Sequence, residues 1–223
     1  MSGASVSGSL LALDTATSRV VVARGAQDGT LEDAATWQAG YRHGEALLPS
    51  IERLMAAAGG RGAIGAIVVG TGPGAFTGLR VGIATAKGLA HGLGCPIVGV
   101  PTGAALLAAL PAAGALLLPA GPSDRVLVRA GEPSRLLPGG TEPELRRAET
   151  LLAVDLEGRA PAESLARGSE ARNGLAAALL RLGSERLAED GGDDLEALVP
   201  DYVTLPRGVT ATTGEVAWSH DPR

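Results

Sequence analysis

The sequence predicts an α/β protein built from two related halves, each with a mixed sheet flanked by helices. Three observations predict it. The chain opens with two apolar runs separated by a short polar turn, it then alternates strand and helix patterns, and near residues 110–114 the hairpin pattern starts again.

Leu10 to Asp14 is an apolar run closed by a carboxylate, and Val20 to Ala23 is a second run after the turn-forming Thr15-Ala16-Thr17-Ser18. Gln27-Asp28-Gly29 supplies another turn, and Leu31 to Trp37 reads as a third strand. From His43 to Ala58 the residues Leu47, Leu48, Ile51, Leu54 and Met55 recur at helical spacing, with Gly59-Gly60 as the stop. Ile64 to Val69 suits a strand buried on both faces. The glycine-rich Gly70-Thr71-Gly72-Pro73-Gly74 leads into a helix from about Gly78 to Leu93, followed by a strand at Pro96 to Val100 and a helix at Thr102 to Leu110.

Ala115 to Leu118 and Val126 to Arg129 then form the second hairpin around Gly121-Pro122-Ser123. Residues 131–150 read as loop, and Ala162 to Leu187 as helix, split at Gly168 and Gly174. The expected organisation is a first half over 1–110, a smaller divergent half over 111–206, and a tail over 207–223 whose lack of periodicity reads as disorder, with Trp218 as the residue suited to docking.

With 223 residues and 45% hydrophobic content the chain can bury a substantial core. No stretch reaches the ~18 apolar residues of a membrane span and the start lacks a basic leader, so a cytoplasmic protein without membrane contact is expected. The single Cys95 excludes an internal disulfide and a thiolate metal cluster. A net charge of −5 and 2% aromatic content give neither the basic footprint nor the stacking platforms of a nucleic-acid binder, so RNA would have to be held by a partner.

Two loops can carry chemistry. Asp14 and Thr15 lie at a tight turn where a carboxylate and hydroxyl approach phosphate or its magnesium. Gly72, Gly74 and Thr77 join a strand to a helix start, where free backbone amides favour an anion; the structural alternative is a rigid turn with Thr77 as N-cap. The second loop is no Walker A motif, because no Gly-Lys-Ser/Thr follows. His43, His91 and His220 are the only histidines and none are four apart, which leaves no paired imidazoles for a metal and no serine or cysteine nucleophile motif around them. His43 reads as a cap or packing residue at a helix start.

Leu10-Leu-Ala-Leu-Asp-Thr-Ala-Thr17, His43-Gly-Glu-Ala-Leu-Leu-Pro49 and above all Gly72-Pro-Gly-Ala-Phe-Thr-Gly-Leu-Arg-Val-Gly-Ile83 resemble the TsaB (YeaZ) family, strongly over residues 10 to about 105 and weakly beyond, through the strand restart and Pro200-Asp201-Tyr202. The resemblance implies an actin-like ATPase, RNase H-like fold. It implies a non-catalytic subunit of the machinery that places a threonylcarbamoyl group on tRNA, partner of the catalytic TsaD, with the ATPase TsaE joining and tRNA met only through the complex. Metal and substrate chemistry would then reside on TsaD, with no cofactor of the chain's own, and ATP and magnesium would be at most weakly held at a vestigial Asp14, Thr15, Gly72, Gly74 and Thr77 site. Where the family usually has an Asp-Ala-Arg turn, this chain has Pro119-Ala-Gly-Pro-Ser-Asp-Arg125, so the second acid of an actin-like ATPase is lost from that place, the alternative being that Asp124 is that acid displaced by a local insertion. The family's first two helices form its dimer surface. On that ground Leu47, Leu48, Ile51, Leu54, Gly78, Leu79, Gly82, Ile83, Ala86 and Ala90 are the expected partner interface, used by a second copy when TsaD is absent. The small residues Gly78, Gly82, Ala86 and Ala90 fall four apart, which brings them onto one helix face and permits close approach. The competing reading is an ATP-binding phosphotransferase or acyltransferase acting alone.

Overall fold

The structure, a computed structural model, describes residues 8–39, 43–203, 209–212 and 215–218. The opening apolar runs form β1 (Ser9–Asp14), β2 (Arg19–Gly25) and β3 (Leu31–Gln38), an antiparallel meander. Helix α1 (His43–Ala57) crosses over to β4 (Ile64–Gly70), which pairs parallel to β1; α2 (Phe76–Leu93) then returns the chain to β5 (Ile97–Val100), parallel to β4. The sheet order is β3-β2-β1-β4-β5. After α3 (Thr102–Ala109) the pattern repeats with β6 (Ala115–Pro119), β7 (Arg125–Val128), β8 (Arg135–Leu137) and β9 (Leu151–Ala153), in the order β8-β7-β6-β9 with the same strand directions as β3-β2-β1-β4.

The segment read as loop over 131–150 thus contains the short β8, whose three residues give too brief an alternation to register as a strand. Helix α4 (Ala162–Asp190) runs unbroken through Gly168 and Gly174. Those glycines do not break the helix; they bring it close to its neighbours, since a Cβ at Gly168 would lie 1.9 Å from the Ala153 carbonyl oxygen. Within the expected tail, β10 (Val209–Thr212) and β11 (Glu215–Trp218) form an antiparallel hairpin.

Alternation of side chains divides the core. Leu11, Leu13, Val20, Val22, Ile67 and Val69 face α1 and α2, whereas Leu10, Ala12, Val21, Ala23, Ala66 and Val68 face the opposite way. That second face shares one continuous cluster with α3, α4 and the inner residues Leu116, Leu118, Val126 and Val128 of the second sheet. Helix α4 touches β1, β2, β4, β5, β9 and α3. The free edge of β5 is occupied by Asp193, whose N–H donates to the Ile97 carbonyl (2.7 Å) and whose carboxylate accepts from the Gly99 N–H (2.7 Å).

This packing corrects the expected interface. Gly78, Leu79, Gly82, Ile83, Ala86 and Ala90 are all buried on the inner face of α2, and Leu47, Ile51 and Leu54 are buried on the inner face of α1. The small-residue stripe lets α2 sit against the chain's own first turn: a Cβ at Gly78 would lie 2.0 Å from the Thr15 carbonyl oxygen, and one at Gly82 would lie 2.2 Å from Thr15 Oγ1. Of the ten expected residues only Leu48, 55% exposed, is exposed to solvent.

Candidate functional site at the first turn

Asp14 ends β1 with its side chain fully buried. A buried carboxylate is costly unless donors surround it, and here the Ala16 N–H donates to Oδ1 (3.0 Å) while the Thr102 hydroxyl donates to Oδ2 (2.6 Å). Thr102 Oγ1 in turn accepts from the Gly72 N–H at 3.0 Å, so one hydroxyl at the start of α3 joins the β1 end to the glycine loop. Burial is the larger influence on Asp14 and pushes its pKa up to about 6, against the opposing pull of the Thr102 hydroxyl and the Ala16 amide.

Thr15, also buried, donates its hydroxyl to the Gly78 carbonyl (2.7 Å), and the Ala75 N–H donates to the Ala16 carbonyl (2.7 Å). The glycines of the loop are explained by these approaches. A Cβ at Gly70 would fall 1.8 Å from Asp14 Oδ2, and one at Gly74 would fall 2.2 Å from the Ala16 carbonyl oxygen. The structure therefore brings Asp14, Thr15, Gly72 and Gly74 together, with the two loops packed directly on one another. Thr77 stands apart: it is exposed, and the N-cap of α2 is Ala75, not Thr77, with no side-chain cap bond. Gly70 and Thr102 belong to this cluster although neither is among the site residues expected from the sequence; Gly70 stands at the head of the glycine-rich loop, whereas nothing marks Thr102 beyond its place at a helix start.

Beside the turn lies a cleft between the sheets, crossed by Asp201, Tyr202 and Val203. The Asp201 N–H donates to the Thr71 carbonyl at 2.8 Å, the Tyr202 ring packs on Phe76 with centroids 5.2 Å apart, and Arg80 Nε donates to the Tyr202 hydroxyl (3.1 Å) while its guanidinium lies 3.9 Å over the Phe76 ring. Cavities of about 370 and 700 Å³ lie against this segment, and neither is lined by Asp14 or Thr15. Partial burial raises the pKa of Asp201.

Asp124, at the turn between β6 and β7, accepts from the Gly139 N–H (2.9 Å) through its carboxylate. Among the described residues no group of three His, Cys, Asp or Glu side chains is arranged to hold a metal ion, and no helix is long and apolar enough to cross a membrane. His91 is exposed in the last turn of α2; the His43 side chain and His220 lie outside the described residues, so the cap reading of His43 does too.

A family model described as TsaD, tRNA N6-adenosine threonylcarbamoyltransferase, matches residues 37–166, more than half of the chain. The chain is 39% identical over 94 residues to the tRNA threonylcarbamoyladenosine biosynthesis protein TsaB of Escherichia coli, covering 42% of this chain and 40% of that protein. With its Haemophilus influenzae namesake it shares 38% over 104 residues, 45% of this chain and 42% of that one. The match thus spans less than half the length of these curated relatives. Among solved structures, YeaZ from Pseudomonas aeruginosa superposes with a TM-score of 0.68 at 24% identity, covering 88% of this chain and all of that one. With the repeated sheet order, these likenesses establish an actin-like ATPase fold.

Proposed function

From the premise that the chain belongs to the family of TsaD, tRNA N6-adenosine threonylcarbamoyltransferase, and within it to the TsaB (YeaZ) line, we propose that it is a non-catalytic scaffold subunit in tRNA N6-threonylcarbamoyladenosine synthesis. It binds and activates a catalytic TsaD subunit, works with TsaE, and meets tRNA only through the complex. The observation that carries this reading is the Asp14 turn. Its carboxylate and the Thr15 hydroxyl are buried and spent on internal hydrogen bonds, whereas an actin-like ATPase needs both groups free for magnesium and phosphate. On this reading the Asp14, Thr15, Gly72, Gly74 loops are a structural lock rather than a nucleotide site.

The partner surface is then the outer face of α1 and α2. There a cavity of about 500 Å³ is lined by Leu48, Met55, Leu89 and Leu93 together with Glu52 and Arg61, a mixture of apolar and charged side chains of the kind a protein partner meets. The test is calorimetry against TsaD followed by a reconstituted tRNA modification assay. The wild-type chain should bind TsaD and support modification while transferring nothing alone. Leu48→Glu should keep the wild-type melt and weaken TsaD binding at least about tenfold, which corresponds to ~1.4 kcal/mol. Steady ATP turnover by the chain alone would sink the scaffold reading, and unchanged affinity of Leu48→Glu would sink this placement of the surface.

A further inference from the structure

The first turn is also held from the opposite side. Asp155 follows β9 in a left-handed conformation, φ 57°, which few side chains other than Asp and Asn adopt readily. The Ser18 N–H donates to Asp155 Oδ2 at 2.6 Å, the Ser18 hydroxyl donates to Oδ1, and Arg172 Nη1 donates to Oδ1 at 3.0 Å. The side chains of Asp155 and Arg172 are 15% and 17% exposed, and Arg172 Nε is buried without a partner.

A backbone N–H, a hydroxyl and a guanidinium converging on one point are the donor set that binds a small oxyanion. We propose that this is an anion seat occupied by the chain's own carboxylate. Asp155, 137 residues beyond Ser18, takes the position an external carboxylate or phosphate oxygen would hold at the β1–β2 turn. By filling it, Asp155 ties the second sheet to the first turn and closes the seat to outside anions. The positive φ is consistent with this, because the backbone adopts an uncommon conformation at the residue that delivers the carboxylate. The inference does not depend on a TsaD partner.

Asp155→Gly removes the carboxylate and tolerates the same φ without strain, so it isolates the seat from the backbone. In chloride the variant should melt roughly 2–4 °C below wild type. Replacing chloride by formate at equal ionic strength should recover about half of that loss and leave the wild-type melt unchanged. Arg172→Ala added to Asp155→Gly should abolish the recovery. The proposal is overturned if formate stabilises wild type and variant equally, or if recovery persists without Arg172. Should Asp155→Gly stay unfolded in both salts, Asp155→Asn decides: it retains the volume but turns an amide toward the donors, and a melt equal to wild type would refute the seat.

Discussion

The turns that join the first two strands of each sheet hold equivalent places in the repeated strand order, yet they are put to opposite use. The β1–β2 turn is drawn inside, with Asp14 bound by Thr102 and Ala16 on one side and Ser18 bound by Asp155 on the other. Its counterpart after β6 has Pro119 as the last strand residue where β1 has Asp14; its Gly121-Pro122-Ser123 is exposed, and Asp124 serves the local loop through Gly139. Duplicated topology therefore does not carry duplicated chemistry. An acid becomes a core element where a hydroxyl from the next helix meets it, and remains a turn residue where proline has taken its place.

Gly78→Val should break the contrast outright. Its Cβ would be driven onto the backbone carbonyl of Thr15, which has no room to give, and the expected loss is about 3 kcal/mol or more by chemical denaturation. A variant as stable as wild type would mean that α2 does not rest on the first turn.

Next in size is the pH dependence of Asp14. Its folded pKa of about 6 exceeds the ordinary value near ~4, so between those values the folded chain binds more protons than the unfolded one. Stability from the protonated carboxyl is fully present below about pH 4 and is lost as pH rises through about 6, on the order of 2–3 kcal/mol across the window. Asp14→Asn, which cannot ionise, should lack this decline. Stability curves of the two proteins that run parallel from pH 4.5 to 7 would show that Asp14 titrates normally. The smallest effect sharpens the comparison: Asp124→Ala should change stability by less than about 1 kcal/mol, because the two hydrogen bonds lost, from the Gly139 N–H and the Ser123 hydroxyl, are exposed where water can replace them.

The strands of the first half were readable because β1, β2 and β4 are apolar runs bounded by turn residues, and Asp14 stood out as the polar residue ending such a run. The direction of the small stripe on α2 was not readable. Glycines and alanines four apart permit close approach by any surface, and spacing does not distinguish a partner's helix from the chain's own Thr15. Helix α4 differs for a related reason: a glycine weakens a helix by about 1 kcal/mol in isolation, but at Gly168 it allows an approach to the Ala153 backbone that a larger residue would forbid, and at Gly174 it eases a tight contact with Ala109. Thr102 and Asp155 escaped notice because their partners lie 88 and 137 residues away, and no local pattern encodes such a meeting.

The position of α4 has a consequence during synthesis. It is the last helix among the described residues, at Ala162–Asp190, yet it covers the face of the first sheet opposite α1 and α2. A ribosome adding roughly 5–20 residues per second delivers α1 and α2 promptly but leaves Leu10, Ala12, Val21, Ala23, Ala66 and Val68 without the cover of α4 for several seconds more. A nascent chain ending near residue 110 would therefore present a bare apolar sheet face, the kind of surface that aggregates or recruits a holdase chaperone, and the first half is not a unit that can be synthesised and stored without the second.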